Sequence, residues 1–247
     1  MGVTFGWGPT AARVLAPRAA CVVVVDVLSF TTSVGVAVEA GTAVYPYRWR
    51  DATARAYADR RDAVLAVGRS EATPEHPWSL SPAALRAAPP APRLVLPSPN
   101  GSTIAAEAGD GPVVAASLRN RTAVAAWLAE RGYGSESRPL VVIASGERWP
   151  DGSLRPALED LLGAGAVLSA LRAAPGAAGA RELSPEATAA ATLWEAADDP
   201  VAALHRCDSG RELYEYGHPQ DVAVAAEVDT SDTVPVLRDG AFQEAAP

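Results

Sequence analysis

The stretch VVVVDVLSFTTS, from Val22 to Ser33, decides the fold of this chain. Four consecutive valines indicate a strand that is buried on both faces, as in a parallel sheet covered by helices. The strand runs into a carboxylate, Asp26, and four hydroxyl side chains follow within seven residues: Ser29, Thr31, Thr32 and Ser33. Because a buried charge is costly unless it is paired or binds a metal, the rest of the chain must supply a partner for Asp26.

The composition is that of a chain with a large core. It has 247 residues, 49% of them hydrophobic, and we expect one domain over residues 1–247. Cys21 and Cys207 are too few for a disulfide framework, so we interpret them as reduced core residues. The apolar runs are too short to span a bilayer, and the N-terminus lacks a signal-peptide pattern. We therefore expect a soluble, cytoplasmic protein without membrane contact.

The charge of the chain limits its partners. Nucleic-acid binding would have to work against a net charge of −8 without a basic patch, so we exclude it. All 21 basic side chains are arginine, since the sequence contains no lysine. An anion must therefore be held by arginine, a metal ion or backbone N–H groups. A Walker-type phosphate loop, which requires lysine, is excluded.

Short apolar runs alternate with alanine-rich segments between residues 21 and 173. This alternation predicts βαβ units and a largely parallel sheet with helices on both faces, a three-layer α/β/α fold. The predicted strands are Cys21–Val27, Ala43–Tyr47, Ala63–Val67, Arg93–Pro97, Pro112–Ala116 and Leu140–Ala144. The predicted helices are Thr32–Ala40, Asp51–Arg61, Pro82–Ala87, Ser102–Ala108, Thr122–Arg131 and Pro156–Ala173.

Glycine and proline mark the ends of these elements. We expect Gly41 and Gly132 just past helix ends, and Ser81 and Ser184 as N-caps before a proline. The segment 173–180, AAPGAAGA, is interpreted as a surface loop.

The C-terminal part has a different pattern. It predicts a helix over Ser184–Arg206 and a short helix over Ser209–Tyr216, closed by Gly217. Asp221–Val228 and Thr233–Leu237 are predicted as strands around a turn, which would add a mixed or antiparallel C-terminal edge to the sheet.

Polar residues follow four of the predicted strands. In a parallel α/β sheet, ligands bind beyond the carboxyl ends of the strands, where loops enter the next helices. We therefore expect these loops to form one site. In chain order they hold Asp26 with Ser29, Thr31 and Thr32, then SPNGST (98–103), then Ser117 with Arg119 and Asn120, then SGERWPDGSLRPALED (145–160).

The loop SPNGST has the chemistry of a phosphate site. Asn100-Gly101 allows a tight turn with positive φ, and Ser102 and Thr103 begin a helix whose free N–H groups and dipole face the loop. The same pattern also forms an ordinary turn with an N-cap, and this alternative stays open.

The loop after residue 144 carries the densest set of charges. Glu147 and Arg148 lie in the loop, and Glu159 and Asp160 lie about one turn inside the next helix. Because helix neighbours are about 100° apart, at most one of these two acids can point squarely into a cleft. Carboxylates without nearby His or Cys favour Mg²⁺ rather than zinc.

The order of these motifs resembles the 2-phosphosulfolactate phosphatase family. The matching segments are DVLSFTT (26–32), PNGST (99–103), Arg119-Asn120, GERWPDGSLRPALEDLLGAGA (146–166) and SGRELYEYGHPQDVAVAAEVDTSDTVPVLRDGAF (209–242). The resemblance covers about Val3 to Phe242. It implies Mg²⁺-dependent hydrolysis of a phosphate monoester on a small 2-hydroxy acid that bears a second acidic group.

The resemblance also implies roles for the loop residues. Asp26 would ligate Mg²⁺ together with Glu159 or Asp160. The resemblance also points to Glu147 and Arg148 as catalytic candidates, and to Asn100, Gly101, Ser102, Thr103, Asn120 and Arg211 for binding substrate, the last for a carboxylate or sulfonate end. From the loops themselves we add Arg119, which with Arg148 would stabilise charge. We also add the hydroxyls of Ser29, Thr31 and Thr32, which lie behind Asp26 and would bind the phosphate.

Three segments depart from the family pattern. Ser29 stands where an arginine is expected, GRSEATPEH (68–76) replaces a Gly-Glu-Arg loop, and Pro97-Ser98-Pro99 precedes Asn100. If an arginine contact is missing at Ser29, selectivity for a doubly anionic substrate should be weaker. Arg69, one loop away, would restore the charge if it reaches.

The mechanism and the partners have alternatives. The nucleophile is either a metal-bound water, which we favour, or Asp26 through an aspartyl-phosphate. A catalytically inactive anion-binding protein of the same fold is the alternative function. A dinucleotide-binding enzyme is disfavoured because the loop VLSFTT (27–32) has no glycine. The oligomeric state is open, with a homodimer allowed.

Overall fold

The computed structural model describes residues 2–49, 51–109, 111–175 and 181–246. Its strands are β1 (Val3–Trp7), β2 (Cys21–Val25), β3 (Ala43–Tyr47), β4 (Val64–Leu65), β5 (Arg93–Pro97), β6 (Val113–Ala116), β7 (Leu140–Ala144), β8 (Glu147–Arg148), β9 (Leu154–Arg155), β10 (Pro235–Arg238) and β11 (Ala241–Glu244). Its helices are α1 (Gly8–Leu15), α2 (Phe30–Glu39), α3 (Ala52–Arg61), α4 (Pro82–Ala87), α5 (Gly101–Glu107), α6 (Arg121–Glu130), α7 (Leu158–Ala173), α8 (Pro185–Ala196), α9 (Pro200–Arg206), α10 (Asp208–Glu215) and α11 (Pro219–Ala225). None of the helices in these ranges combines the length and the apolar character needed to cross a membrane.

Within the described ranges, nine strands form one sheet in the order β1-β7-β2-β6-β10-β11-β3-β5-β4. The first four are parallel, and Val23 of β2 lies opposite Val142 of β7 and Val114 of β6. β3, β5 and β4 form a second parallel set. The pairings β6–β10, β10–β11 and β11–β3 are all antiparallel, so the second set runs opposite to β2.

Helices cover both faces of the sheet, and β2 lies between two apolar cores. Because strand side chains alternate, Val23 and Val25 join the core formed with α6, α7 and α8. Val22 and Val24 join the core formed with α1, α2 and α5. All four valines are buried. The predicted α/β fold with helices packed on a mostly parallel sheet is therefore confirmed.

Helix α7 approaches β2 closely because a glycine lies at the contact. A Cβ at Gly163 would lie 2.5 Å from Val27 Cγ2 and 2.9 Å from Val25 Cγ1, closer than side chains pack. The helix begins one turn earlier, so this close approach brings Glu159 and Asp160 to the carboxyl end of β2.

The C-terminal strands of the prediction differ from the structure in two ways. Asp221–Val228 is not a strand, because Pro219 begins helix α11 and buries Val222, Ala225 and Ala226 at helical spacing. The antiparallel strands are β10 and β11, and they lie inside the sheet, between β6 and β3, rather than at its edge.

The prediction also merged two helices into one and missed some elements. The single helix predicted over Ser184–Arg206 is two helices, because Asp199 caps a new helix that starts at Pro200. Strand β1 and helix α1 were not predicted, and β1 pairs with β7 in parallel. Residues 176–180 of the predicted 173–180 loop lie outside the described residues.

The predicted punctuation is confirmed. Gly41 and Gly132 have φ values of +84° and +70°, the left-handed conformation expected after a helix. The hydroxyls of Ser81 and Ser184 accept hydrogen bonds from the N–H groups of Ala84 and Ala187 at the starts of α4 and α8.

Candidate active site

Asp26 lies one residue beyond β2 and is 6% exposed. Its Oδ1 accepts the N–H of Phe30 at 3.0 Å, and its Oδ2 accepts the N–H of Gly101 at 3.0 Å and the hydroxyl of Ser145 at 3.3 Å. Phe30 and Gly101 are the first residues of α2 and α5, whose free N–H groups carry partial positive charge. Two helix N-termini and a hydroxyl are thus the hydrogen-bonding partners of Asp26.

Gly101 is needed for close approach rather than for a left-handed turn. Neither Asn100 nor Gly101 has a positive φ, so the turn predicted from Asn100-Gly101 is wrong. A Cβ on Gly101 would overlap the Phe30 ring and lie 2.8 Å from Asp26 Oδ2. The absence of a side chain therefore lets the backbone N–H reach Asp26.

Asp160 holds two loops of the site together. Its Oδ1 accepts the N–H of Val27 at 2.7 Å, and its Oδ2 accepts the N–H of Gly146 at 2.8 Å. Val27 follows Asp26 in the loop after β2, and Gly146 precedes Glu147 in the loop after β7. One buried carboxylate on α7 thus fixes both loops, and each of its oxygens is engaged with the backbone.

Glu147 faces a cavity of about 400 Å³, which we call the Glu147 cavity. The amide of Asn100 donates a hydrogen bond to Glu147 Oε2 at 2.9 Å, so the loops after β5 and β7 meet there. The exposed Arg148 donates from Nη1 to the carbonyl of Gly152 at 3.2 Å. The cavity lining includes Asn100, Thr103, Ser145, Glu147, Arg148 and Arg13.

A second cavity of about 400 Å³, the Glu159 cavity, lies beside the start of α7. The buried Glu159 lines it together with Arg155, Cys207, Arg206 and Arg211. Arg211 is largely exposed and pairs with the exposed Asp208 at 2.7 Å. Glu159 and Asp160 therefore have separate surroundings, one at a cavity and one in backbone contacts.

A larger cavity, of about 820 Å³, runs along α8. Its lining is mainly small or apolar, with Leu183, Pro185, Ala189, Leu193 and Ala196 among its residues. None of the predicted site residues lines it.

Four carboxylates, Asp26, Glu147, Glu159 and Asp160, form what we call the acid cluster. Burial, and then the charges of Asp26 and Glu159, raise the pKa of Glu147 to about 7. Burial and the same two charges raise the pKa of Asp160 well above its usual range. Burial also raises the pKa of Asp26, against the hydrogen bonds that favour its ionised form. Ionisation of these carboxyls is therefore unfavourable, because burial and their mutual repulsion oppose the negative charge.

The hydroxyls predicted to bind phosphate donate to backbone carbonyls. Thr31 Oγ1 donates to the carbonyl of Asp26 at 2.8 Å, and Thr32 Oγ1 donates to that of Val27 at 2.8 Å. Ser102 and Thr103 donate in the same way to Leu96 and Pro99, at 3.3 and 2.7 Å. These side chains brace the two loops around Asp26, and their role in binding substrate stays a prediction.

Arg119 belongs to a separate group of charges, the Arg119 cluster, formed with Glu39, Arg86 and Glu227. Arg119 donates to Glu39 and Glu227, each at 3.0 Å, and Arg86 binds both oxygens of Glu227 at 2.7 Å. The predicted catalytic role of Arg119 stays a prediction.

Asn120 likewise makes contacts that stabilise the loop after β6. Its Oδ1 accepts the N–H of Ser117 at 2.9 Å, and its Nδ2 donates to the carbonyls of Ala115 and Thr233. Its predicted contact with substrate is untested by these interactions.

Arg69 reaches the loop that follows Asp26. Its guanidinium donates to Ser29 Oγ from Nη2, and to Asp221 Oδ2 from Nε at 2.7 Å. Asp221 lies on α11, in the segment predicted as a strand, so its place beside the site was missed. Pro219 at the first turn of a helix was the signal that would have placed Asp221 correctly.

Ser145 and Arg155 were also missed by the sequence reasoning. Ser145 directly follows β7 and donates to Asp26, and its place just after a strand was the signal that could have found it. Arg155 donates to both oxygens of Glu212, at 3.0 and 3.2 Å, and its charge offsets a small part of the rise in the pKa of Glu147.

The donor set of the acid cluster is of the kind that Mg²⁺ takes, because it consists of carboxylate oxygens with excess negative charge. Among the described residues, no group of three or more His, Cys, Asp or Glu side chains has the arrangement of a metal site. Magnesium sites commonly use one or two carboxylates, with waters and substrate phosphate oxygens as the other ligands.

Comparison with known proteins gives one family match. The family model of 2-phosphosulpholactate phosphatase matches residues 11–240, nearly the whole chain. No curated protein was found to match the chain. The matched range includes every residue of the acid cluster and both cavities except Pro9 and Thr10.

Proposed function

Because the chain belongs to the 2-phosphosulpholactate phosphatase family of phosphoric monoester hydrolases, we propose that it hydrolyses the phosphate ester of a small acidic 2-hydroxy acid with the help of Mg²⁺. The substrate is 2-phosphosulfolactate or a close relative. The observation that carries this proposal is the acid cluster, in which four carboxylates from three segments meet at the end of β2.

We propose Asp26 and Glu159 as the residues that would hold Mg²⁺. Asp26 accepts one hydrogen bond on Oδ1 and two on Oδ2, which leaves a lone pair on Oδ1, and Glu159 lines a cavity. Asp160 acts as a positioning residue, because both of its oxygens hold backbone N–H groups. When bound, the ion would offset part of the negative charge of the cluster and polarise the phosphate.

Glu147 is suited to take a proton from an attacking water. Its pKa of about 7 leaves it partly ionised at neutral pH, which is the range that suits a general base. Asn100 orients the carboxylate from one side. Asp26 is less suited to attack phosphorus itself, because three donors hold its two oxygens. We therefore favour water over an aspartyl-phosphate.

The phosphate is assigned to the Glu147 cavity. With no lysine in the chain, we propose Arg148, one of two arginines that line the cavity, as the cation for the phosphate. Among the described residues its guanidinium makes one hydrogen bond, to Gly152, which leaves donors free. Release of inorganic phosphate from 2-phosphosulfolactate and phospholactate, with EDTA and after Mg²⁺ is added back, tests the proposal.

Release that depends on Mg²⁺ is expected. Binding of the esters without release under any metal condition would instead indicate the inactive anion-binding alternative. Phosphate bound covalently to Asp26, detected by mass spectrometry of quenched turnover, would overturn the water mechanism alone.

We infer that the protein acts in the cytoplasm on a small molecule, without nucleic acid, and that a homodimer is compatible with this activity. Sedimentation of the purified chain would determine the oligomeric state.

A further inference from the structure

A wholly buried carboxylate, Asp221, fixes an arginine beside the loop of Asp26. Its Oδ2 accepts the Nε–H of Arg69 at 2.7 Å, and its Oδ1 accepts the hydroxyl of Ser81 and the N–H of Ala83 at 3.3 Å. Asp221 is 0% exposed, so these donors replace its water. A carboxylate held in this way gives Arg69 a fixed orientation.

The guanidinium of Arg69 has N–H donors that make no hydrogen bond to the described residues. Its Nη2 donates to Ser29 Oγ, and its Nη1 has no hydrogen bond to any described residue. The side chain is 18% exposed, so it is not closed off from solvent. Three of its five N–H donors thus remain available to an anion.

Arg69 lies on a different side of Asp26 from the proposed phosphate position, as the contacts of the two carboxylate oxygens indicate. Oδ2 contacts Ser145, which lines the Glu147 cavity, whereas Oδ1 contacts Phe30, whose neighbour Ser29 binds Arg69. Arg69 therefore belongs to the group of residues on Oδ1, and the proposed phosphate position belongs to the group on Oδ2. The arginine adjoins the site without being among the residues that line the phosphate cavity.

We propose that Arg69 is a specificity-determining residue that binds an acidic group of the substrate other than its phosphate, and that Asp221 is its positioning residue. The proposal rests on the proposed function and deepens it. Arg211, the arginine predicted for that role, is 65% exposed and pairs with an exposed Asp208 three residues away. Such a pair fixes a side chain poorly, whereas the buried pair with Asp221 fixes Arg69.

The test compares Arg69→Met with the unchanged protein on three esters: 2-phosphosulfolactate, phospholactate and isopropyl phosphate. The last has no acidic group besides the phosphate. We expect kcat/KM to fall about ten- to a hundredfold on at least one acid-bearing ester, the range of one charge-assisted contact, and less than threefold on isopropyl phosphate. Where isopropyl phosphate is hydrolysed too slowly, inhibition by inorganic phosphate provides the reference.

Two further variants separate this role from a structural one. Asp221→Asn should give a smaller loss with the same substrate preference, and Arg69→Met combined with Asp221→Asn avoids leaving a buried charge unpaired if the single variant misfolds. Arg121→Met is the matched control, since Arg121 is 22% exposed and pairs with Asp229 at 2.7 Å.

Equal losses on all three esters, or a loss matched by Arg121→Met, would overturn the inference. If the unchanged protein hydrolyses none of the esters, the proposed function fails as well. The two failures are therefore distinguishable.

Discussion

The acid cluster and the Arg119 cluster handle buried charge in opposite ways. In the Arg119 cluster, two arginines bind Glu227, and their hydrogen bonds, that of Arg86 first, lower its pKa to about 2. In the acid cluster, the hydrogen bonds to Asp26 and Asp160 come from backbone N–H groups and a hydroxyl, and the pKa of Glu147 rises to about 7. One group of charges is neutralised within the protein, and the other is not.

This difference indicates which of the two clusters is suited to bind a cation or a proton from outside the protein. The charges of the Arg119 cluster balance, and its bonds join α2, α4 and the loops after β6 and α11. Nη1 of Arg119 is nevertheless buried without a hydrogen-bond partner among the described residues. Like charges brought together at a cost are characteristic of sites that bind a cation or move a proton. From this comparison we propose a structural role for the Arg119 cluster and a chemical role for the acid cluster.

The largest effect is expected from Asp26→Asn. The amide keeps the shape of the carboxylate but removes the charge, and its NH₂ group would face either a backbone N–H or the Ser145 hydroxyl. We expect kcat/KM on 2-phosphosulfolactate with Mg²⁺ to fall by about a hundredfold or more.

The matched control lies in the other cluster. Glu39→Gln makes the same change from carboxylate to amide, in an acid that pairs with the buried Arg119. It should leave kcat/KM within about threefold of the unchanged protein. Full Mg²⁺-dependent activity in Asp26→Asn would refute the assignment of chemistry to the acid cluster.

An intermediate effect is expected in the dependence of stability on pH. A carboxyl whose pKa is raised by folding stabilises the fold below its ordinary pKa of 4.5, and this contribution is lost as the pH rises through about 7. For Glu147 we expect the free energy of unfolding to fall by about 2 kcal/mol between pH 4.5 and 8 without metal, allowing for its partial exposure. Glu227 has the opposite sign, because its contribution is lost only as the pH falls from 4.5 towards 2.

Urea denaturation at pH 5 and pH 8 in EDTA measures this change, with Glu147→Gln as the comparison. The variant should lose less stability over the same range, since the amide does not ionise. A stability that rises with pH and is unaffected by Glu147→Gln would show that the acid cluster carries no such strain.

Much of the fold was predictable because the strands are continuous apolar runs. Arg93–Pro97 and Leu140–Ala144 were predicted with the observed bounds, since buried parallel strands leave little ambiguity. The direction of β3 and β5 relative to β2 was not predictable, because it depends on β10 and β11 entering the middle of the sheet. That is a long-range pairing with no local signal.

The site was predictable in its residue types and less so in their contacts. The spacing of Glu159 and Asp160 required different surroundings, which the structure gives them. The sequence did not show that Thr31 and Thr32 donate to their own loop, because a hydroxyl near a carboxylate suits either a ligand or a backbone carbonyl. Asp221 was hidden by the alternation of DVAVAA, which fits strand and helix alike.

The smallest effect is expected from Glu227→Gln in the Arg119 cluster. The change removes a charge that two arginines share, in a partly exposed position, so the free energy of unfolding at pH 7 should fall by about 1 kcal/mol. For a chain of this size that is a fall in Tm of about 2–4 °C, measurable by calorimetry. The value of kcat/KM should stay within about threefold, because the cluster is assigned to structure. A large loss of kcat with unchanged Tm would instead mean that Arg119 acts on the substrate, as its place after β6 predicted, and the division between the two clusters would then be wrong.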